Sequence, residues 1–231
     1  MAKDGLTICL GMLTVTFLVW GLFLFDQRTI PLAAGTVSAI LTALFFYFFR
    51  DPKREIPSGE NLLVSPADGK VVAVKKLTSH EFLQSEAVQI SIFLSPLDVH
   101  INRVPAAGNI EYVKYKSGRF LAAYNDLASD ENEQTEIGLT TNNGSKIVFK
   151  QIAGWMARRI VCRLEKGQKV ITGEKFGMIK FGSRTDLIVP SDTQIEVTTG
   201  QHVTGGETII GRLKMTSLSQ SGSTSARKSN V

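Results

Sequence analysis

Three side chains of this 231-residue chain could together activate a hydroxyl: Ser183, His100 and Asp68. They stand in separate segments, Lys180-Phe181-Gly182-Ser183-Arg184-Thr185-Asp186, Leu97-Asp98-Val99-His100-Ile101-Asn102-Arg103-Val104-Pro105 and Ser65-Pro66-Ala67-Asp68-Gly69. A serine whose proton passes to an imidazole, itself steadied by a carboxylate, becomes a nucleophile. The target nearest to the Ser183 hydroxyl is the carbonyl of the residue before it, Gly182. Attack there would cut the chain and turn Ser183 into a prosthetic group.

Each residue also has a plain structural reading. Gly-Ser is a common turn dipeptide, although this one lies between two apolar strands and runs into the polar Arg184-Thr185-Asp186. Gly182 also leaves its carbonyl open to approach and permits a strained conformation. His100 is one of only three histidines. His80 lies in the polar loop Thr78-Ser79-His80-Glu81 and reads as solvated, and His202 follows a turn at Gly200-Gln201. For His100 the alternative is a core histidine satisfied by Asp98, and for Asp68 an ordinary turn aspartate. Arg103, Arg119 and Arg184 have the fork geometry that holds a phosphate.

The segments that position these residues divide the chain in two. Residues 6–25 and 30–49 are uncharged apolar runs, each long enough to cross a hydrocarbon core. Only Asp26-Gln27-Arg28-Thr29 separates them, which predicts a transmembrane hairpin, with Pro31 in the first turn of the second helix. A signal peptide is the competing reading, but its apolar region is shorter and no second run follows at once. Arg50, Lys53 and Arg54 follow the second run, so the positive-inside rule puts both termini in the cytoplasm. Cys9 and Cys162 give no disulfide framework, which suits a reducing compartment. The net charge of +5 and pI near 9.2 are assigned to an anionic membrane surface, with nucleic acid excluded for want of a reading motif.

From about residue 55 the sequence reads as short strands. Residues 71–74, 88–93 and 147–152 are β-branched or alternating, and Asn142-Asn143-Gly144 is a hairpin turn. Residues 118–128 and 155–164 could hold short helices or bent strands. Val170-Ile171-Thr172-Gly173-Glu174 is echoed by Val203-Thr204-Gly205-Gly206-Glu207, and such hairpins resemble lipoyl- and biotinyl-carrier domains. The predicted class is mainly β, a helical hairpin followed by one domain with barrel-sandwich hairpins. The predicted boundaries are an anchor over 1–54, a catalytic domain over 55–215 and a disordered Ser-rich tail over 216–231.

Four stretches in this order resemble the phosphatidylserine decarboxylase family in its short bacterial and archaeal-type form. They are Phe48-Phe49-Arg50-Asp51-Pro52, Ser65 to Val71, Asp98 to Pro105, and Phe181 to Asp186. The resemblance spans residues 48 to about 213. It implies a proenzyme cut between Gly182 and Ser183, with His100, steadied by Asp68, as the base. The new chain would begin with a pyruvoyl group made from Ser183, with no metal. That group would serve as electron sink for decarboxylating phosphatidylserine to phosphatidylethanolamine. It further implies that the two chains stay associated, that the substrate stays in the membrane, and that homo-oligomers can form. The location implied is the inner cell membrane, with the catalytic domain on its cytoplasmic face.

Two positions depart from the family pattern. Longer members carry a second histidine where this chain has Arg103, and Glu131-Asn132-Glu133-Gln134 resembles an Asn-Glu-Arg-Asn-like family segment but has Gln134 where the arginine would be. Base and acid roles can therefore both fall on His100, or one of them can move elsewhere. Rival readings are a decarboxylase of another serine-headed lipid such as archaetidylserine, and a non-catalytic membrane-anchored lipoyl-like adaptor.

Overall fold

The computed structural model describes residues 1–2, 5–25, 29–119, 121, 131–154, 160–179 and 183–214. Two helices open it, α1 (Leu6–Phe25) and α2 (Thr29–Phe48). Both are apolar around their whole circumference, the pattern of a helix surrounded by apolar material rather than lying at a water interface. Phe17, Leu18, Leu22 and Leu24 of α1 and Val37 and Ile40 of α2 are exposed, a larger apolar surface than water tolerates. The helices are joined by the Thr16 and Thr42 hydroxyls at 2.9 Å. The Trp20 indole N–H also donates to the Gly35 carbonyl at 3.1 Å.

Among the described residues, Leu6–Leu24 is the one stretch long and apolar enough to cross a membrane, and the apolar part of α2, Leu32–Phe48, is shorter. The expected pair of spans is therefore one candidate span with an antiparallel companion. The open end of the hairpin is closed by the Ala2 N–H, which donates to the Phe49 carbonyl at 2.8 Å.

Fourteen strands follow among the described residues. They are β1 (Leu62–Val64), β2 (Gly69–His80), β3 (Ser85–Leu94), β4 (Ile101–Arg103), β5 (Gly108–Lys116), β6 (Gln134–Thr141) and β7 (Lys146–Ile152). The rest are β8 (Ile160–Cys162), β9 (Lys169–Val170), β10 (Lys175–Ile179), β11 (Ser183–Pro190), β12 (Gln194–Ile195), β13 (His202–Val203) and β14 (Ile209–Arg212). One sheet has eight strands in the order β13-β2-β3-β11-β7-β6-β5-β9, and two have three, β1-β14-β12 and β4-β10-β8. Every strand pair within these sheets is antiparallel. The mainly β expectation holds.

The sequence turn at Asn142-Asn143-Gly144 joins β6 to β7, with Gly144 at φ 85°. The strands expected over 71–74, 88–93 and 147–152 lie in β2, β3 and β7. Of the two segments left as helix or bent strand, 160–162 is strand β8. Most of 118–128 and 155–159 lie outside the described residues, as does the tail 216–231.

β11 sits between β3 and β7 near the middle of the large sheet and is buried on both faces. Its odd-numbered residues face the main core, where Leu187 and Val189 pack with Ile90, Ile92 and Phe149. The opposite face carries Arg184, Asp186 and Ile188. The two echoed turns also meet. Gly173 (φ 76°) and Gly206 (φ 81°) both lie against Ile56, and Gly206 against Arg103 as well. A Cβ on Gly173 would stand 2.4 Å from Ile56 Cδ1, so the repeat needs glycine for room as well as for its left-handed backbone.

Candidate active site

The chain leaves the small sheet at Ile179, the end of β10, and enters the large sheet at Ser183, the start of β11. Residues 180–182, and Gly182 with them, lie outside the described residues. Ser183 thus opens a strand that is buried over nearly its whole length.

Registry places the other predicted residues at the same end of the sheet as Ser183. Lys70 of β2 pairs with Phe93 of β3, which pairs with Arg184 of β11. Asp68 precedes β2, the loop to His100 leaves β3 at Ser95, and Ser183 opens β11. Two strand spacings separate Asp68 from Ser183, on the order of 10 Å. Residues far apart in sequence therefore share one end of the sheet.

Ser183 is fully buried, and its Oγ has no hydrogen-bond partner among the described residues. An unpaired buried hydroxyl costs about 1–3 kcal/mol. Such an atom calls for an explanation, and a reactive role is one.

His100 is also fully buried. Its Nδ1 lies 2.9 Å from the Asp98 carbonyl oxygen. A carbonyl only accepts, so Nδ1 carries the proton and the neutral ring has its lone pair on Nε2. The Phe48 ring at the end of α2 packs on the imidazole, with centroids 4.3 Å apart. Burial pushes the His100 pKa down to about 4, against the bond to Asp98 and with help from the Arg50 charge. The ring is neutral at pH 7, the state a general base requires.

Asp68 makes its hydrogen bonds to Arg54 and Gly205. Its Oδ2 receives Arg54 at 2.7 Å and its Oδ1 the Gly205 N–H at 2.8 Å. Burial raises its pKa in spite of both. The residue that sets the His100 tautomer is Asp98, through its backbone. Sequence reasoning considered Asp98 only as the partner of a core histidine, because a backbone carbonyl has no sequence signature.

Sequence reasoning also missed a buried amide relay. Asn102 Nδ2 donates to Thr185 Oγ1 at 3.3 Å, and Gln151 Nε2 donates to Asn102 Oδ1 at 2.8 Å and to the Val161 carbonyl at 3.2 Å. All three side chains are fully buried. The relay ties the segment bearing His100 to β11, two residues from Ser183. The Asn102 signal was present, a polar residue inside a strand two positions after His100, but its partners were not.

The three arginines separate. Arg184 points to the face opposite Ser183 and is buried, its Nε 2.8 Å from Asp186 Oδ1 and its Nη2 on the Ser91 hydroxyl. Arg103 gives Nη1 to the Gly173 carbonyl at 2.9 Å and lies 4.0 Å from Asp51. Arg119 is exposed and pairs with Glu131 at 3.2 Å.

The base of the hairpin adjoins the site. Phe48 and Phe49 form one apolar cluster with Val99, Ile101 and Met178, from the His100 segment and β10.

The family model described as phosphatidylserine decarboxylase matches residues 41–211. The phosphatidylserine decarboxylase proenzyme of Chlorobium phaeobacteroides is 45% identical over 190 residues, covering 82% of this chain and 88% of that one. The proenzyme of Desulfotalea psychrophila is 45% identical over 174 residues, 75% of this chain and 81% of its own. That of Salinibacter ruber is 47% identical over 186 residues, 80% of each. With a buried serine at the start of a central strand, a neutral histidine beside an apolar hairpin, and a match over most of its length, this chain belongs to the phosphatidylserine decarboxylase family.

Proposed function

We propose that this chain is a self-cleaving proenzyme whose mature form decarboxylates phosphatidylserine at a membrane surface. The observation that carries this reading is the packing of Phe48, the last residue of α2, on His100. It joins the apolar hairpin to the proposed base, so a lipid headgroup can reach the site without leaving the bilayer.

Maturation begins when His100 Nε2 takes the proton from Ser183 Oγ. That oxygen bonds to the Gly182 carbonyl carbon, and the Gly182-Ser183 C–N bond breaks to leave an ester. Loss of the Ser183 α-proton then expels the Gly182 carboxylate and leaves dehydroalanine. Water converts that residue to pyruvoyl and ammonia. The unpartnered, buried Ser183 Oγ fits this conversion, because no hydrogen bond has to be given up.

When formed, the pyruvoyl group supplies an electron sink for the pair left by departing carbon dioxide. The chain's own residues do the rest. Val99, Ile101 and Phe48 exclude water. His100 Nε2 holds a proton that can return to the substrate carbon. Asp68 acts at one remove, by holding Arg54 and the turn at Gly205. The products 1–182 and 183–231 stay together, a reading supported by β11 hydrogen-bonding to β3 and β7.

The division into an anchor over 1–54, a catalytic domain over 55–215 and a tail over 216–231 belongs to the same proposal. So do the cytoplasmic face of the inner membrane and homo-oligomerisation. The lipoyl/biotinyl-like reading of the hairpins is supported by the meeting of the Gly173 and Gly206 turns at Ile56.

The test is the intact mass of the purified protein and of Ser183→Ala, followed by carbon dioxide release from carboxyl-labelled phosphatidylserine. Two pieces from wild type, one from the variant, and label release only by the cleaved form are expected. A single uncut chain that still released the label would sink the pyruvoyl mechanism.

A further inference from the structure

We propose that Arg50 is the receptor for the phosphodiester of the lipid substrate, at the mouth of the site where α2 ends. This rests on the decarboxylase reading above.

Arg50 follows α2 by two residues and is half-buried. Its guanidinium lies 3.9 Å above the Tyr47 ring. Nη1 donates to the Tyr47 carbonyl at 3.0 Å and Nη2 to the Leu97 carbonyl at 2.8 Å. Two carbonyls and an aromatic face fix the fork in place but leave its charge uncancelled. A guanidinium has five N–H donors, so three remain for a ligand.

The contrast with other arginines is specific. Arg54 pairs with Asp68 and Glu207, Arg103 with Asp51, Arg119 with Glu131, Arg184 with Asp186, and Arg212 with Glu196. Among the described residues Arg50 has no carboxylate partner. A preorganised cation without a counter-ion is suited to an anion that arrives from outside.

Its position selects that anion. Leu97, whose carbonyl it holds, is three residues from His100, and Phe48, two residues before it, stacks on the His100 ring. The Arg50 charge is felt at that imidazole. Tyr47 and Leu97 are both exposed beside the end of the apolar helix. A lipid lying along α2 would bring its phosphate to Arg50 and extend its serine toward His100 and residue 183. The phosphate candidates that the sequence offered are committed elsewhere, to Asp186, Glu131 and the Gly173 carbonyl.

The experiment compares wild type, Arg50→Gln and Arg50→Lys as full-length proteins in vesicles. Phosphatidylserine is varied at a constant mole fraction of total anionic lipid, made up with phosphatidylglycerol, so surface charge does not change. Self-cleavage, which involves no phosphate but needs His100 in place, is followed in parallel. For Arg50→Gln we expect normal self-cleavage and kcat/KM lower by roughly 10- to 150-fold, carried mainly by KM. Arg50→Lys should recover part of the loss, keeping the charge without the fork. Unchanged KM in a cleaved, active Arg50→Gln protein would overturn the inference alone. Failed self-cleavage in both variants would assign Arg50 to holding the Leu97 loop and also overturn it. If cleaved wild type released no carbon dioxide, the decarboxylase reading would fall, and this inference with it.

Discussion

The rings of Phe48 and His100 lie 4.3 Å apart, centroid to centroid, at 35°. One belongs to an apolar helix and the other to the loop that carries the proposed base. This contact makes the hairpin a wall of the proposed active site as well as a candidate anchor. It also keeps water from the imidazole, which holds the ring neutral down to about pH 4.

Removing the ring should therefore change how maturation depends on pH. In wild type, self-cleavage should be level from pH 8 to pH 5 and fall as His100 protonates near pH 4. In Phe48→Ala the inflection should move up toward the ordinary histidine value near 6.5. At pH 5 the variant would be slower by about tenfold if its pKa reached about 6, with little difference at pH 8. Gel analysis of freshly translated proenzyme across that range measures this, and an unmoved inflection would count against Phe48 as the shielding group.

The same burial affects stability. Unfolded His100 takes up a proton below about pH 6.5, whereas the folded ring resists until about pH 4. Between these values the unfolded state binds more protons, so stability falls as pH drops through the window. The loss from this residue is on the order of 3 kcal/mol by pH 4. Thermal melting of the Ser183→Ala proenzyme at pH 7, 5.5 and 4.5 should show the decline, and His100→Asn should flatten it.

Asn102→Leu removes the centre of the relay between Thr185 and Gln151. The buried Thr185 hydroxyl loses its partner, at about 1–3 kcal/mol, and Gln151 Nε2 keeps only the Val161 carbonyl. We expect a lower melting temperature and slower self-cleavage, since the relay links the His100 segment to β11. Asn102→Asp, which keeps an acceptor for Gln151, should be milder in both. Equal cleavage rates in Asn102→Leu and wild type would confine the relay to stability.

Arg184 and Arg119 should behave oppositely although both can hold a phosphate. Arg184→Ala removes the cation beside the buried Asp186 carboxylate, a loss that typically costs about 3–5 kcal/mol. The expected result is little folded protein, with an unchanged KM in any that survives. Arg119→Ala removes one exposed pair with Glu131, worth about 0–1 kcal/mol, and should melt within a degree or two of wild type. A selective rise in KM for Arg184→Ala would show that it touches substrate after all.

The β strands, the Asn142-Asn143-Gly144 turn and the apolar hairpin were legible in the sequence because each depends on local periodicity and backbone preference. So was the choice of Ser183 and His100 as candidates, since nucleophile and base are identified by residue type. The partners of Asp68 were not legible. A carboxylate near a histidine in the expected motif order suggested a side-chain triad. In the fold, Arg54 and Gly205 occupy Asp68, and the Asp98 carbonyl takes Nδ1.

What the sequence determined by itself was an apolar hairpin ahead of a β domain, and the reactive residue types within it. Periodicity and composition act over a few residues, and they are written in the chain. Only the tertiary structure decided which charges cancel and which do not. Arg184 faces Asp186 and Arg54 faces Asp68, while Arg50 is held by carbonyls. It also decided that Phe48 covers His100. Pairing and shielding depend on distances of a few ångströms between residues up to 52 positions apart, which strand registry and packing set and no local pattern encodes.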